Sequence, residues 1–346
     1  MKIPDSLRWR PTGVTLGSGG QAVVHLVTRR DAADGPRAAL KALRNVGSRQ
    51  AKERFRREIE AVKRLDHPSI VKVLDQSEPD DPFQFYVMEY YDGARTLARV
   101  IFDGANPYHG KSLRSLGLYE QLVLAIRACG QASTPVIHRD INPKNILLLP
   151  DGGLRLIDFG VCQIQDGQIL TFVDEDVGTR NYTAPECEAG HDADIGMHSD
   201  LYSSAKVLWS VITSQRAFAR EEPAFAQRAM SQMFPTLPDT WHLTSIFEKT
   251  IRPNPSERCR NADELLQRVH EVHYLIECGY PPLEQVGERC PSCGCKSLTN
   301  FAQGHNVFGN PNPPGVRSII CSNCGFGFVR DVNCIRQSIE RLKGLR

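Results

Sequence analysis

Several residues have types and spacings that suit phosphate and metal chemistry. Gly17-Ser18-Gly19-Gly20 lies between two strand-like runs, and glycine lets backbone N–H groups approach phosphate oxygens without a side-chain clash. Lys41 follows on the next strand-like run. Asn145 and Asp158, farther along the chain, carry side-chain oxygens of the kind that Mg²⁺ prefers. If the fold brings these residues together, they predict a site for phosphate groups and a divalent metal.

A second chemical pattern lies near the end of the chain. Cys290-Pro291-Ser292-Cys293 and Cys321-Ser322-Asn323-Cys324 are two CxxC pairs, each followed by glycine. Two such pairs build a tetrahedral four-sulfur Zn²⁺ site, so the pattern predicts a zinc ribbon. A redox CxxC and an iron–sulfur site are weaker alternatives, because redox pairs usually begin a helix in a βαβ unit. No such unit is evident here.

The elements that must position these residues change type along the chain. Residues 8 to about 100 favour strands, among them 38–43, 70–74 and 83–90, with one amphipathic helix over 50–65. Residues 113–276 favour helices, with an irregular centre between Val136 and Glu186. Gly279-Tyr280-Pro281-Pro282 is typical of a linker, and a short helix is predicted from about Cys334.

Composition excludes several classes of protein. The 346 residues are 41% hydrophobic and 24% charged, with a net charge of +2, which argues against wholesale disorder and a general nucleic-acid or membrane-surface protein. No apolar run reaches the ~20 residues that span a bilayer. The 11 cysteines are an odd number and cannot all pair within the chain. We therefore expect a cytoplasmic protein with no membrane partner.

Six motifs in one order carry a resemblance to a known family. Besides the glycine-rich stretch they are Ala38-Ala39-Leu40-Lys41, Glu58, His138-Arg139-Asp140 with Asn145, Asp158-Phe159-Gly160 and Ala184-Pro185-Glu186. This set resembles the signature of eukaryotic-like (Hanks-type) Ser/Thr protein kinases. The resemblance implies an α+β, two-lobed protein-kinase fold over 8–276, with a β-rich N-lobe at about 8–90 and a helical C-lobe at about 91–276. A linker over 277–286 and a zinc ribbon with a C-terminal helix over 287–346 would follow.

The resemblance implies a role for each motif residue in phosphoryl transfer from ATP with Mg²⁺ or Mn²⁺. Asp140 would orient the substrate hydroxyl, Asn145 and Asp158 would hold the metal, and Lys41, paired with Glu58, would grip the α- and β-phosphates. The predicted ATP-binding residues are Gly17, Ser18, Gly19, Gly20, Val24, Ala39, Lys41, Glu58, Met88, Glu89, Tyr91 and Leu147. Asp200 and Arg258 are expected to be structural: Asp200 braces the catalytic loop and Arg258 pairs with Glu186.

Two departures from the family pattern bear on activity. The family usually has lysine two residues after the catalytic aspartate, where this chain has Asn142. Lys144, four residues after Asp140, is predicted to restore the lost charge in catalysis, as in the tyrosine-kinase branch. Thr179 still matches the Ser/Thr branch, so Ser/Thr specificity is expected.

The activation segment runs from Asp158 to Glu186 in this resemblance. Arg139 would pair with a phosphate there, and Thr171 is a candidate autophosphorylation site. Asp174-Glu175-Asp176 stands where many relatives carry a phosphorylatable threonine. The cluster around Glu175 either mimics phosphate or is a solvated acidic loop.

Protein substrates are the expected partners, with a cognate phosphatase as a further one. The ribbon is expected to dock or target substrates. Residues 277–346 contain 8 Lys and Arg and 5 Asp and Glu. This excess of positive charge is too small to predict nucleic-acid binding. Two alternatives stay open: a nucleotide-binding pseudokinase scaffold, and a kinase localised by a nucleic-acid-binding ribbon.

Overall fold

The computed structural model describes residues 3–31, 35–44, 47–159, 163–164, 180–188, 195–219, 230–279, 298–300, 316–321 and 327–331. The first part of the chain forms a five-stranded antiparallel sheet with the strand order β1-β2-β3-β5-β4. Its strands are β1 (Trp9–Ser18), β2 (Ala22–Arg29), β3 (Arg37–Leu43), β4 (Val73–Gln76) and β5 (Phe85–Glu89).

One helix, α1 (Arg49–Lys63), accompanies this sheet. Ser48 caps its start by accepting a hydrogen bond from the backbone N–H of Ala51. Phe55, Ile59 and Val62 recur at helical spacing and are buried. The strand predicted over 70–74 is wrong in its start: Ile70 makes only an isolated bridge to Leu156, and β4 begins at Val73.

The opposite face of the sheet is covered by the N-terminal segment. Ile3 and Trp9 are buried there in a cluster with Leu40 and Val87. The indole N–H of Trp9 donates to the Asp75 carboxylate at 2.6 Å, so the buried ring keeps its polar atom satisfied. This cover closes a second, smaller core beside the main one.

The following part of the chain is mainly helical and contributes most residues of the larger core. Its longer helices are α3 (Ser112–Gln131), α5 (Met197–Thr213) and α8 (Ala262–Glu277), and α5 is buried along nearly its whole length. Shorter helices are α2 (Leu97–Phe102), α4 (Pro185–Glu188), α6 (Met230–Met233) and α7 (Thr244–Phe247). Short strands complete it: β6 (Arg95–Thr96), β7 (Val136–Ile137), β8 (Ile146–Leu148), β9 (Leu154–Leu156) and β10 (Gln163–Ile164).

Near the C-terminus, three strands form a separate antiparallel sheet in the order β11-β12-β13. They are β11 (Leu298–Asn300), β12 (Val316–Cys321) and β13 (Gly327–Asp331). The helix predicted from about Cys334 lies outside the described residues. Among the helices that the structure describes, none is both long and apolar enough to cross a membrane.

Candidate active site

Three charged side chains meet between the sheet and the helical part. The ammonium of Lys41, on β3, lies 2.5 Å from Glu58 Oε1 on α1 and 3.0 Å from Asp158 Oδ1. Glu58 is 3% exposed, so its carboxylate needs such a partner. Burial lowers the pKa of Lys41, but the carboxylates of Asp158 and Glu58 raise it well above its ordinary value. Lys41 is therefore a fixed cation in this cleft.

Tyr86 belongs to the same group, although none of the sequence motifs contains it. Its hydroxyl donates to Glu58 Oε1 at 2.8 Å, so one carboxylate oxygen receives both Lys41 and Tyr86. Tyr86 is the β-ladder partner of Lys41 between β3 and β5. That register depends on strand pairing, and residue types alone do not reveal it. Tyr86 therefore restrains Glu58 together with Lys41.

The predicted catalytic carboxylate is held by two asparagine amides. Asn145 donates to Asp140 Oδ2 at 2.7 Å, and Asn142 donates to Asp140 Oδ1 at the same distance. Asn142 is 2% exposed and caps the 3₁₀ turn Pro143–Asn145 by accepting from the backbone N–H of Lys144. Lys144 itself is exposed at the surface.

Helix α5 anchors the backbone of this catalytic loop. Asp200, buried in its first turn, accepts hydrogen bonds from the backbone N–H groups of His138 at 2.8 Å and Arg139 at 2.9 Å. Arg139 has a φ of 66°, a conformation that a non-glycine residue adopts at an energetic cost. The geometry predicted for Asp200 is thus present, and it holds the loop in that conformation.

Phe159, the residue after Asp158, packs against His138 of the catalytic loop. The rings of His138 and Phe159 lie 4.5 Å apart, and both side chains are fully buried. Burial lowers the pKa of His138 to about 4, so its imidazole is neutral at physiological pH. Asp158 has a φ of 63°, which turns its carboxylate towards Lys41.

The residues predicted to enclose the nucleotide base lie on three strands of the five-stranded sheet and on β8 of a second sheet. Ala39 and Met88 are ladder partners of β3 and β5, while Val24 lies on β2 and Leu147 on β8. After Met88 the chain passes through Glu89 to Tyr91, the expected hinge. These side chains are buried or half-buried, so they can form an apolar slot.

The predicted hinge residues Glu89 and Tyr91 are joined in a hydrogen-bond network by Arg155, a residue that none of the sequence motifs contains. The Tyr91 hydroxyl donates to Glu89, and Arg155 on β9 donates to that hydroxyl at 3.1 Å. The Arg155 guanidinium also lies over the Tyr91 ring, 4.9 Å from its centroid. Burial and the Glu89 contact raise the pKa of Tyr91 to about 12, so Tyr91 stays a hydrogen-bond donor.

The glycine-rich stretch forms the turn between β1 and β2. Gly17 and Ser18 end β1, and the N–H of Gly19 donates to the carbonyl of Ala22 at 3.0 Å. Arg44, just after β3, donates to the Gly19 carbonyl at 2.9 Å and to the Ser18 hydroxyl. At Gly20 a Cβ would meet nothing within 4 Å, so the backbone there is open to a ligand.

The end of the activation segment is tied to the helical part by a buried ion pair. Arg258 Nη1 lies 2.6 Å from Glu186 Oε1, and its Nη2 donates to Oε2 at 2.9 Å. Ser199 adds a hydrogen bond to Glu186 at 2.6 Å. Burial raises the pKa of Glu186, but Arg258 and Ser199 lower it below its ordinary value. This is the Glu186–Arg258 pair expected from the sequence.

Several predicted residues lie outside the described residues: Gly160, Thr171, Glu175, Thr179, Cys290, Cys293 and Cys324. Cys321 lies at the end of β12. Within the described part of the chain, no three His, Cys, Asp or Glu side chains cluster in a way that could hold a metal ion.

A family model for the protein kinase domain matches residues 11–273. The chain belongs to the protein kinase family. Its relatives include the serine/threonine-protein kinases PknB of Mycobacterium leprae, 31% identical over 282 residues, and of Mycobacterium tuberculosis, 31% identical over 296 residues. These alignments cover 78% and 82% of this kinase chain but 43% and 45% of the relatives, so it spans about half their length.

Solved structures show the same fold. The crystal structure of the Mycobacterium tuberculosis PknI kinase domain matches with a TM-score of 0.58 and 24% identity, covering 77% of this chain and 96% of that domain. The likeness supports the two-lobed kinase architecture, with a sheet-rich first lobe and a helical second lobe. The predicted fold class is confirmed for the kinase part.

Proposed function

We propose that this chain transfers the γ-phosphate of ATP to Ser or Thr hydroxyls of protein substrates. The observation that carries the proposal is the convergence of Lys41 on both Glu58 and Asp158, at 2.5 and 3.0 Å. A fixed cation beside a metal-binding carboxylate is what phosphoryl transfer requires for positioning and charge neutralisation. The names of the PknB relatives support the Ser/Thr choice.

The residues present fit a divalent metal. Both amide hydrogen bonds of Asn145 go to Asp140, which leaves its amide oxygen as a ligand, and the Asp158 side chain is 45% exposed. These are hard oxygen donors. When bound, Mg²⁺ or Mn²⁺ would neutralise charge on the phosphates. Asn145 and Asp158 would hold it.

Asp140 would accept a hydrogen bond from the substrate hydroxyl and orient it for attack. The glycine-rich turn would place backbone N–H groups on the phosphates, and the slot of Val24, Ala39, Met88 and Leu147 would take the adenine. Lys144, exposed beside this loop, would supply the cation that Asn142 lacks.

Phosphotransfer from radiolabelled ATP, with mapping of the phosphorylated residues, tests this function. We expect Mg²⁺-dependent labelling of Ser or Thr by the wild type, loss of at least a hundredfold in K41M and D158N, and wild-type rates in K111M. Lys111 is an exposed lysine outside the cleft and is the matched control. Nucleotide binding without transfer in the wild type would instead support the pseudokinase scaffold and refute the proposed transfer.

We further propose that Cys290, Cys293, Cys321 and Cys324 bind a structural zinc ion. Leu298, the first residue of β11, pairs with Cys321, the last residue of β12. The first CxxC pair ends at Cys293, five residues before β11 begins. Because β11 begins opposite Cys321, the strand pairing brings the chain near the second CxxC pair soon after it leaves the first. A three-stranded sheet of this size buries little core, so metal binding would supply folding free energy. The ribbon would then dock or target substrates.

Metal analysis of the purified full chain tests the zinc site. We expect about one zinc per chain, lost in C293S and C324S and kept in C278S, which removes an exposed cysteine on the kinase side. Iron with sulfide in place of zinc would support the iron–sulfur alternative. Absence of any metal would refute the proposal.

A further inference from the structure

Asn142 holds the carboxylate of Asp140 by a contact that the motif pattern does not contain. Its amide nitrogen lies 2.7 Å from Asp140 Oδ1 and 3.1 Å from the Asp140 carbonyl oxygen. Asn145 makes the mirror-image contacts, at 2.7 Å to Oδ2 and 2.9 Å to the same carbonyl. Each carboxylate oxygen of Asp140 thus has one amide donor.

The amide oxygen of the Asn142 side chain is also hydrogen-bonded. The side-chain Oδ1 accepts a hydrogen bond from the backbone N–H of Lys144 at 2.9 Å. The backbone carbonyl of Asn142 accepts one from the backbone N–H of Asn145 at 3.0 Å. Because the side chain is 2% exposed, it has little room to leave this arrangement. Lysine, the usual residue here, has three donors and no acceptor, so it could not cap this turn.

We propose that Asn142 is a positioning residue that, together with Asn145, fixes the carboxylate of Asp140 in the orientation needed for phosphoryl transfer. The inference rests on the proposed kinase function and concerns how its site is built. A carboxylate oxygen has two lone pairs, so each oxygen can accept an amide N–H and still receive the substrate hydroxyl. The catalytic loop of this chain then differs from the usual one at two positions. Asn142 orients the Asp140 carboxylate with a neutral amide, and Lys144 supplies the cation.

The decisive experiment separates the amide donor from the turn cap. In the full chain, N142S keeps an oxygen that can cap the turn but is too short to reach Asp140, and N142D keeps the shape but replaces the donor by an acceptor. We expect N142S to lower kcat roughly tenfold or more, the effect of one hydrogen bond to a charged group, with KM for ATP within about twofold. N142D should lower kcat further, because two carboxylates then face each other.

A double-mutant cycle distinguishes positioning from a general structural role. If Asn142 acts through Asp140, N142S should change the residual rate of D140N by less than about twofold. An equal loss in both backgrounds, or an unchanged kcat in N142S, would overturn the proposal. N142K, which restores the family residue, should be no faster than N142S; a wild-type rate in N142K would also overturn it.

One readout does not depend on activity. In ¹⁵N–¹H spectra, the side-chain amide signals of both Asn142 and Asn145 should move in D140A, while those of Asn254, which caps a different turn, should not. An unmoved Asn142 signal would refute the contact. If the wild type transfers no phosphate, the proposed function fails, and this measurement still decides whether Asn142 holds Asp140.

Discussion

At the scale of single residues, the site is built from charged and polar groups that are each held by more than one partner. Glu58 receives Lys41 and Tyr86 on the same oxygen, and Asp140 receives two asparagine amides. Such redundancy restricts side-chain rotation and so helps to hold the reacting groups in a productive geometry. The consequence is a site that is already organised before a nucleotide binds.

His138 gives a prediction at this scale. Its folded pKa of about 4 lies below the ordinary 6.5 because the ring is buried. The unfolded chain therefore binds a proton between pH 6.5 and 4 that the folded chain does not, and stability is lost as the pH falls through that window. Because one pKa unit corresponds to about 1.4 kcal/mol, we expect His138 to account for up to about 3 kcal/mol of that loss.

Denaturant unfolding of wild type and H138F at several pH values measures this contribution. Phenylalanine keeps a ring against Phe159 but does not titrate, so the stability difference between the two proteins should shrink as the pH falls from 6.5 to 4. H273Q, which removes a surface histidine of α8, is the control and should keep the wild-type dependence. A difference that is constant with pH would contradict the assignment.

At the scale of elements, helix α5 positions the catalytic loop. Asp200 accepts two backbone N–H groups of the loop, one of them from Arg139 in its left-handed conformation. A helix buried along nearly its whole length is a rigid support. The left-handed conformation of Arg139 therefore depends on this support.

We expect D200N to destabilise the protein by about 1–3 kcal/mol, because an amide offers one acceptor oxygen to two N–H donors and leaves one unsatisfied. The rate of phosphotransfer should fall more than stability explains, since the loop that carries Asp140 is released. Thermal unfolding and kcat of D200N, beside D239N outside this contact as a control, measure the two effects. Full activity in D200N would show that the loop holds its shape without α5.

At the scale of the whole molecule, long-range pairs connect segments far apart in the sequence. Lys41 and Asp158 are 117 residues apart, and Glu186 and Arg258 are 72 residues apart. The second pair is buried on both sides, so neither charge can be solvated if its partner is removed.

We therefore expect E186M and R258M each to destabilise the protein by about 3–5 kcal/mol. The double variant E186M/R258M should be more stable than R258M, because no uncompensated charge stays buried. Urea unfolding of the four proteins measures the coupling energy. Additive losses would show that the two side chains do not act as a pair.

The sequence was sufficient for the kinase motifs, the two-lobed architecture and the pairing of Glu186 with Arg258, because a known family uses those residue types in that order. It was less accurate where pairing sets the structure: β4 begins three residues later than the apolar run from Ile70, since hydrophobicity marks burial but not a ladder partner.

Only the tertiary structure decided that Tyr86 supports Glu58, that Arg155 contacts the hinge tyrosine, and that Asn142 binds Asp140 instead of merely lacking a charge. The physical reason is the same in each case. A side-chain hydrogen bond requires two atoms within about 3 Å in a suitable direction, and the path of the backbone, including the positive φ values at Arg139 and Asp158, sets that geometry. Residue types limit which bonds are possible, while the fold selects those that form.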